Sequence, residues 1–417
     1  MSRVLLTGNA AAAWAARLAD VDYIPAFPIT PQTEIIETLS EWIDNGEMPG
    51  RLVTLDSEHS MLTAAGAAAA TGVRVFTATS SQGLLYAMEM LYNVAGWRVP
   101  MVLVNVSRGL SAPITLEPDH NDVLAARDSG FLQIHCATCQ EVLDSILMAY
   151  RLAEETGVRL PVLVNMDGFY LSFTREPVSI PDEAKVKAFL PAFDPESLHF
   201  RASTPESQAV AVLGGGPYSY FRYETHLAAM NALQVYQRIA GEFEHLVGRS
   251  YPVVDAYQVE DADYLFVMMG SFATKAMGAV DSLREAGWKI GLLRLRLLRP
   301  LPKNRLQELS AGRKAMAIID QSISMGGAGI LYNEIAGALY DMRDNAPVLA
   351  SFTGGLGGRD IPPEEFFEIA RVLKNAGRHG EAPPPQLLYT EDELRQTRKL
   401  QAIARVERQE LNGENDE

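Results

Sequence analysis

Residues 51–83 read RLVTLDSEHSMLTAAGAAAATGVRVFTATSSQG. Two short β-rich runs, 51–55 and 73–79, flank a segment of small helix-forming residues, 61–71, and each run ends in polar residues. Strand, crossover helix and second strand make up the unit that builds a parallel sheet, because parallel neighbours need a connection that returns the chain to the same end. The runs are largely apolar and do not alternate, as expected of strands covered on both faces. Working outward, further runs of the same kind fall at 4–7, 101–106 and 161–166, separated by Ala-rich or amphipathic stretches. Residues 140–155 place Val142, Ile146, Ala149 and Leu152 on one stripe and read as a packing helix.

The rhythm stops around Pro177, and a stretch rich in Pro, Gly, Ser and aromatic residues runs to Tyr223 without clear period. A long helix is predicted at 224–246, then strands at 264–269, 289–295, 315–320 and 348–352. The expected division is therefore an α/β domain at 1–178, a linker with a long helix at 179–254, a second, smaller α/β domain at 255–375 and a charged helical tail at 376–417. Thr390-Glu391-Asp392-Glu393 is a capping box opening the tail's helix, which is expected to reach about residue 411 and to dock on a partner.

Composition bounds the function. With 417 residues, 47% hydrophobic and 21% charged, the chain is globular, of two or three domains. A formal net charge of −16 argues against a nucleic-acid or anionic-membrane surface, so any anionic ligand must be held by local devices. No apolar run approaches the ~20 residues of a membrane span and the start lacks a signal peptide's apolar stretch, so a cytoplasmic location is expected. The only cysteines, Cys136 and Cys139, cannot supply the four thiolates of a cluster or the four ligands of structural zinc, and no metal site is expected on this chain. They read as small buried thiols at a strand end.

Four loops carry candidate chemistry. Phe27-Pro28-Ile29-Thr30-Pro31 has φ fixed at both ends, presenting the Thr30 hydroxyl either to a ligand or to the next helix as a cap. Asp56-Ser57-Glu58-His59 puts Glu58 in the first turn of a helix, where it is favoured as an anion; an N-terminal capping cluster explains the same residues. Ser81, Gln82 and Gly83 close the next strand and suit a ring or diphosphate contact, or an ordinary turn. Arg108 ends the strand after that, and its guanidinium fork matches a carboxylate; a surface ion pair is the alternative. Asp119-His120-Asn121-Asp122 looks like metal or acid/base material but reads as polar lining and helix capping at the same mouth. Ser324-Met325-Gly326-Gly327 and residues 354–360 lack both the dinucleotide fingerprint and a Walker lysine, and read as close-approach backbone at a subunit interface.

Together these elements resemble the α subunits of thiamine-diphosphate-dependent 2-oxoacid:acceptor (ferredoxin) oxidoreductases, of the pyruvate:ferredoxin oxidoreductase type. The likeness spans about residues 3–375. It rests on the 27–31 loop, the Glu58 helix, Arg108 with Ser111-Ala112-Pro113, Ala125-Ala126-Arg127-Asp128-Ser129-Gly130, Phe221-Arg222-Tyr223, Gly248-Arg249-Ser250-Tyr251, Leu297-Leu298-Arg299-Pro300 and 354–360. The resemblance implies a pyrimidine-type thiamine-binding domain followed by a transketolase-C-like domain. It implies Glu58 against the aminopyrimidine N1′, Ser81, Gln82 and Gly83 as further cofactor contacts, and Thr30 and Arg108 on the 2-oxoacid. It further implies a β chain holding the diphosphate and Mg²⁺, γ and ferredoxin-like δ chains carrying iron–sulfur clusters, coenzyme A as cosubstrate, and ferredoxin, or NAD through a flavin subunit, as acceptor.

Two departures bear on substrate. Ile114-Thr115-Leu116-Glu117 stands where pyruvate-type relatives often carry an aromatic residue, and Gln32 replaces the usual serine after Pro31. Loss of a ring from the pocket wall points to a bulkier 2-oxoacid, such as the aryl compound phenylglyoxylate, with pyruvate the alternative. Uncharged Thr30 speaks against a second substrate carboxylate. The rival reading from another class is a stand-alone nucleotide-binding α/β protein without chemistry.

Overall fold

The strands of the first half are β1 (Ser2–Leu6), β2 (Tyr23–Ala26), β3 (Arg51–Thr54), β4 (Phe76–Thr79), β5 (Val102–Ser107), β6 (Leu132–His135), β7 (Val162–Asp167) and β8 (Glu176–Ile180). In this computed structural model, which describes residues 2–194, 202–203, 205, 207 and 211–413, four of them form a parallel sheet in the order β6-β7-β5-β4. The parallel pair β2-β3 continues it through a bridge between Tyr23 and Val75. Every residue of β4, β5, β6 and β7 is buried. That burial on both faces removes the alternation a half-exposed strand would show.

In this half β1 departs from expectation, and β6 and β8 lie where no strand was expected. The run at 4–7 does not join the parallel sheet: β1 pairs antiparallel with β8, Val4 opposite Val178, at a margin where Leu5 stays exposed. β6 was not foreseen, because Leu132-Gln133-Ile134-His135 alternates polar residues into a buried strand; Gln133 Nε2 donates there to the Val123 carbonyl at 3.0 Å, while its Oε1 has no partner among the described residues.

The second half contributes β9 (Val254–Tyr257), β10 (Tyr264–Met268), β11 (Ile290–Leu295), β12 (Leu297–Arg299), β13 (Ala315–Asp320), β14 (Val348–Thr353) and β15 (Gln386–Leu387). Its sheet runs β15-β14-β13-β10-β11-β9, parallel except for β9. β12 leaves this sheet and pairs antiparallel with β6, Leu297 opposite Ile134, so that the second half closes an edge of the first sheet. Arg296, the residue between β11 and β12, is fully buried. Its guanidinium meets Glu141 at 3.0 Å and Asp255 at 2.8 Å and lies over the Tyr251 ring. Burial opposes the Glu141 charge, yet Arg296 and Arg294 beside it hold that carboxyl down at about 2.

The long helix Gly215–Val247 begins at Gly215, not near 224. Its second part buries Ala232, Tyr236, Ile239 and Phe243, while Tyr218, Tyr220, Phe221 and Tyr223 near its start are exposed. An exposed helical segment has no apolar stripe to read, which is why its first turns look aperiodic. The greater part of residues 195–210 of the expected linker, and 414–417 of the tail, lie outside the described residues. The capping box forms as expected: the Glu393 amide donates to Thr390 Oγ1 at 3.2 Å and the Thr390 amide to Glu393 Oε2 at 2.7 Å, opening the helix Glu391–Gly413. Among the described residues no helix is long and apolar enough to cross a membrane.

Candidate active site

The loops after β2, β3, β4 and β5 leave the carboxyl ends of strands that lie together in one sheet, the edge at which open α/β sheets bind ligands. Thr30, Glu58, Ser81 to Gly83 and Arg108 sit on these four loops in turn.

Ser57 caps the helix Glu58–Ala70, accepting from the Ser60 amide, and so makes Glu58 its first residue. The side chain is only 6% exposed and has no hydrogen-bond or ion-pair partner among the described residues. Gly83 makes the space beside it: a Cβ there would stand 2.5 Å from Glu58 Oε1 and 2.5 Å from Thr79 Oγ1. Thr79 Oγ1 is likewise buried without a partner. The result is a cradle of one carboxylate, one hydroxyl and one glycine. The small face of the same helix packs on its own domain, since a Cβ at Gly66 would meet Val94 at 2.5 Å and Trp97 at 2.8 Å.

Arg108 is 5% exposed and is not the surface ion pair that was the alternative. Its Nε donates to the Thr30 carbonyl at 2.8 Å, whereas Nη1 is buried without a partner. Burial holds this guanidinium below the usual arginine range, with Asp122 opposing the shift. Thr30 itself is exposed, its loop closed by Gln32 Nε2 on the Phe27 carbonyl and Asn9 Nδ2 on the Pro31 carbonyl, both at 2.9 Å. Gln32 is fully buried, so its replacement of serine shapes the loop and not the pocket wall.

Ser81 faces inward. Its amide donates to Asp122 Oδ2 at 3.0 Å and its hydroxyl lies 3.1 Å from the Gly109 carbonyl, tying the β4 loop to the β5 loop. Gln82 Nε2 adds a bond to Ser111 Oγ at 2.9 Å. At Gly168 a Cβ would stand 2.7 Å from the Ser107 carbonyl, 3.1 Å from Pro31 and 3.3 Å from the Leu116 carbonyl, so three loops converge over that residue. Behind them the 354–360 loop packs inside the same chain, the Gly358 amide donating to the Pro118 carbonyl at 3.1 Å. Ile114 and Leu116 are left exposed on the 109–117 loop.

Under the loops the polar residues at 119–122 are consumed by structure. His120 Nε2 lies 2.7 Å from Asp167 Oδ1, and Asp167 Oδ2 accepts from the Ser271 amide of the second half at 2.7 Å. Burial works against both charges, but each partner's charge outweighs it, raising His120 and lowering Asp167. Burial pushes Asp119 up to about 6. Among the described residues no group of three or more His, Cys, Asp or Glu could hold a metal ion. Cys136 and Cys139 are both buried and form no disulfide, Cys139 Sγ donating to the Thr174 carbonyl at 3.4 Å, and burial pushes the Cys136 thiol up to about 12.

The sequence reading missed Asn9 and Gly168. Asn9 is a lone polar residue in an Ala-rich helix, and Gly168 directly follows a strand. Either is a visible signal, though neither names its partner.

With this geometry in hand, the family described as pyruvate flavodoxin/ferredoxin oxidoreductase, thiamine diphosphate-binding, matches residues 14–241. The chain belongs to this family. The pyruvate:ferredoxin oxidoreductase core domain II matches residues 262–366, covering most of the second sheet. Over 383 residues the chain is 39% identical to a pyruvate synthase subunit PorA of Pyrococcus abyssi, covering 92% of this chain and 96% of that one. It is 40% identical over 367 residues to the PorA of Thermotoga maritima (88% and 93%). Over 378 residues it is 39% identical to a ketoisovalerate oxidoreductase subunit VorA of Pyrococcus horikoshii (90% and 95%). Among solved structures, a 2-oxoglutarate:ferredoxin oxidoreductase from Magnetococcus marinus superposes with TM-score 0.68 at 18% identity, over 89% of this chain and 65% of that one. A split-gene transketolase superposes at 0.51 with 12% identity, over 88% and 97%. At such identities these two speak for the fold alone.

Proposed function

We propose that this chain is the α subunit of a complex that oxidatively decarboxylates a 2-oxoacid to its acyl-CoA, with Glu58 on the pyrimidine side of thiamine diphosphate and Arg108 on the substrate carboxylate. The balanced reaction is R–CO–COO⁻ + CoA–SH → R–CO–S–CoA + CO₂ + H⁺ + 2 e⁻. The observation that carries the reading is the Arg108 fork: Nε is anchored on Thr30, while the buried Nη1 lacks a partner that a ligand carboxylate would supply. The cradle of Glu58, Thr79 and Gly83 fits a flat ring bearing a basic nitrogen, since among the described residues the buried Thr79 hydroxyl has no partner and no hydrogen bond engages the Glu58 carboxylate beside it. Bound thiamine diphosphate would supply the carbon nucleophile and the electron sink for loss of CO₂. This chain's own work is narrower. Glu58 holds the proton at the ring nitrogen, Arg108 and the Thr30 loop orient the 2-oxoacid, and the apolar residues of 109–117 keep water away. In this reading the diphosphate and its Mg²⁺ are held by a β chain. Electrons pass to iron–sulfur clusters on γ and ferredoxin-like δ chains, then to ferredoxin or, through a flavin subunit, to NAD.

For the side-chain pocket we propose a substrate larger than pyruvate, phenylglyoxylate being the aryl representative. It is supported by the aliphatic residues Ile114 and Leu116, which leave the 109–117 loop without a ring. Pyruvate is the second reading, favoured by relatives named as pyruvate synthase subunits. The test is turnover by the purified complex of pyruvate, a branched 2-oxoacid, phenylglyoxylate and 2-oxoglutarate. Fastest turnover of pyruvate removes the bulky-substrate reading. An Arg108→Lys complex keeps the charge and loses the fork, so KM for the preferred 2-oxoacid should rise at least tenfold with thiamine diphosphate affinity intact. An unchanged KM defeats the clamp.

A further inference from the structure

Asp122 lies at the start of the short helix Asn121–Ala125, fully buried between the β4 and β5 loops. One oxygen, Oδ2, accepts from the Ser81 amide at 3.0 Å and from Asn105 Nδ2 at 3.1 Å. The other, Oδ1, accepts from the Val123 amide at 2.6 Å and contacts the Ser107 hydroxyl. Ser107 directly precedes Arg108, and Ser81 lies two positions before Gly83, so a single carboxylate joins the roots of both candidate contacts. Ser81 also has φ 48°, a conformation a non-glycine residue keeps only where its surroundings dictate it. The bond from its amide to Asp122 is one such constraint.

We infer that Asp122 is a positioning residue: it sets the Arg108 guanidinium relative to the Glu58–Gly83 cradle, acting through Ser107 on one side and Ser81 on the other. This rests on the reading of Arg108 as substrate clamp and of the cradle as cofactor contact. The carboxylate cannot be exchanged for an amide at no cost. Each oxygen faces a backbone N–H that cannot reverse its role, Val123 on Oδ1 and Ser81 on Oδ2, so an asparagine amide nitrogen confronts a donor in either orientation.

The experiment uses the assembled complex carrying Asp122→Asn, Ser107→Ala or Arg108→Lys, with KM and kcat for the preferred 2-oxoacid and the dissociation constant of thiamine diphosphate measured for each. Asp122→Asn is expected to lower kcat/KM about 100-fold, the scale of a 1 Å misplacement, and to weaken thiamine diphosphate binding as well. Ser107→Ala severs the link toward Arg108, together with the bond from the same hydroxyl to the Asp119 carbonyl at 2.9 Å, and leaves the Ser81 side untouched, so its effect is expected in KM, about tenfold, with cofactor affinity and kcat within twofold of the parent. A role confined to stability would move the melting temperature and leave that split absent. An Asp122→Asn complex whose KM and cofactor affinity stay within twofold overturns the assignment. Should Asp122→Asn not assemble, an unchanged KM in Ser107→Ala overturns it equally. If Arg108→Lys raises KM while the other two variants do not, the clamp stands and Asp122 is released from this role. If Arg108→Lys changes nothing, the clamp and this assignment fall together.

Discussion

Glu58 combines near-complete burial with the lack of any internal partner among the described residues, and this sets its predicted behaviour. Glutamine has nearly the same volume and no bond within the chain is lost, so Glu58→Gln should leave thermal unfolding within about 0.5 kcal/mol of the parent. It can accept a hydrogen bond but cannot hold a proton, so turnover of the complex should fall by about 10²–10⁴. Retention of a tenth of the activity would refute the role. His135 illustrates the opposite kind of buried group, used by no chemistry. Both its ring nitrogens are buried without partners, and burial pushes its pKa down to about 3. The folded state thus binds fewer protons than the unfolded one between pH 3 and about 6.5, and stability from this group is present above 6.5 and lost on acidification. Lowering the pH from 7 to 5 should cost about 2 kcal/mol through His135 alone. His135→Leu should remove that increment, read as a smaller difference between urea midpoints at the two pH values; an unchanged difference would show that the imidazole is not held neutral.

At the scale of elements, the motif Gly248-Arg249-Ser250-Tyr251 belongs to the end of the long helix, not to the site. Asp144, fully buried on the helix Cys139–Ala153, accepts from Arg249 Nε at 2.6 Å and Nη2 at 2.9 Å and from the Tyr251 hydroxyl. The pairing clamps the long helix onto the first sheet's covering layer. Tyr251→Phe removes one donor from a buried carboxylate and should cost about 1.5–3 kcal/mol in urea unfolding; an unchanged midpoint would mean that Arg249 and Gln140 satisfy Asp144 without it. The helix Cys139–Ala153 was legible because Val142, Ile146, Ala149 and Leu152 recur at helical spacing, although its other faces are buried as well. The start of Gly215–Val247 was not, because an exposed helix carries no such period. β6 escaped for a third reason: Gln133 and His135 are polar yet buried, and a polar residue in so short a run does not announce a buried strand.

Across the whole molecule, two sheets behave as one unit through β12 and through the His120–Asp167–Ser271 seam. Ser271→Ala removes the hydroxyl donated to Asp167 and keeps the backbone donor, so about 1–2 kcal/mol should be lost. Calorimetry is expected to show a single transition moved to lower temperature. Separate transitions for the two halves would show that the seam does not couple them.

The α/β class, the alternation of strands with helices, and the loops bearing Thr30, Glu58, Ser81 and Arg108 were readable from the chain, whereas β6, β8, β9, β12 and β15 were not. Local pattern records the former, because period, turn chemistry and strand ends are properties of neighbouring residues. What no local pattern records is contact across distance: β12 crossing to the first sheet, the 354–360 loop packing behind 109–118, Gly83 clearing space beside Glu58, and Asp122 joining two loops. Those pairings arise only when burial of the sheets brings residues far apart in sequence within hydrogen-bond reach, and the tertiary fold alone chooses which of them meet.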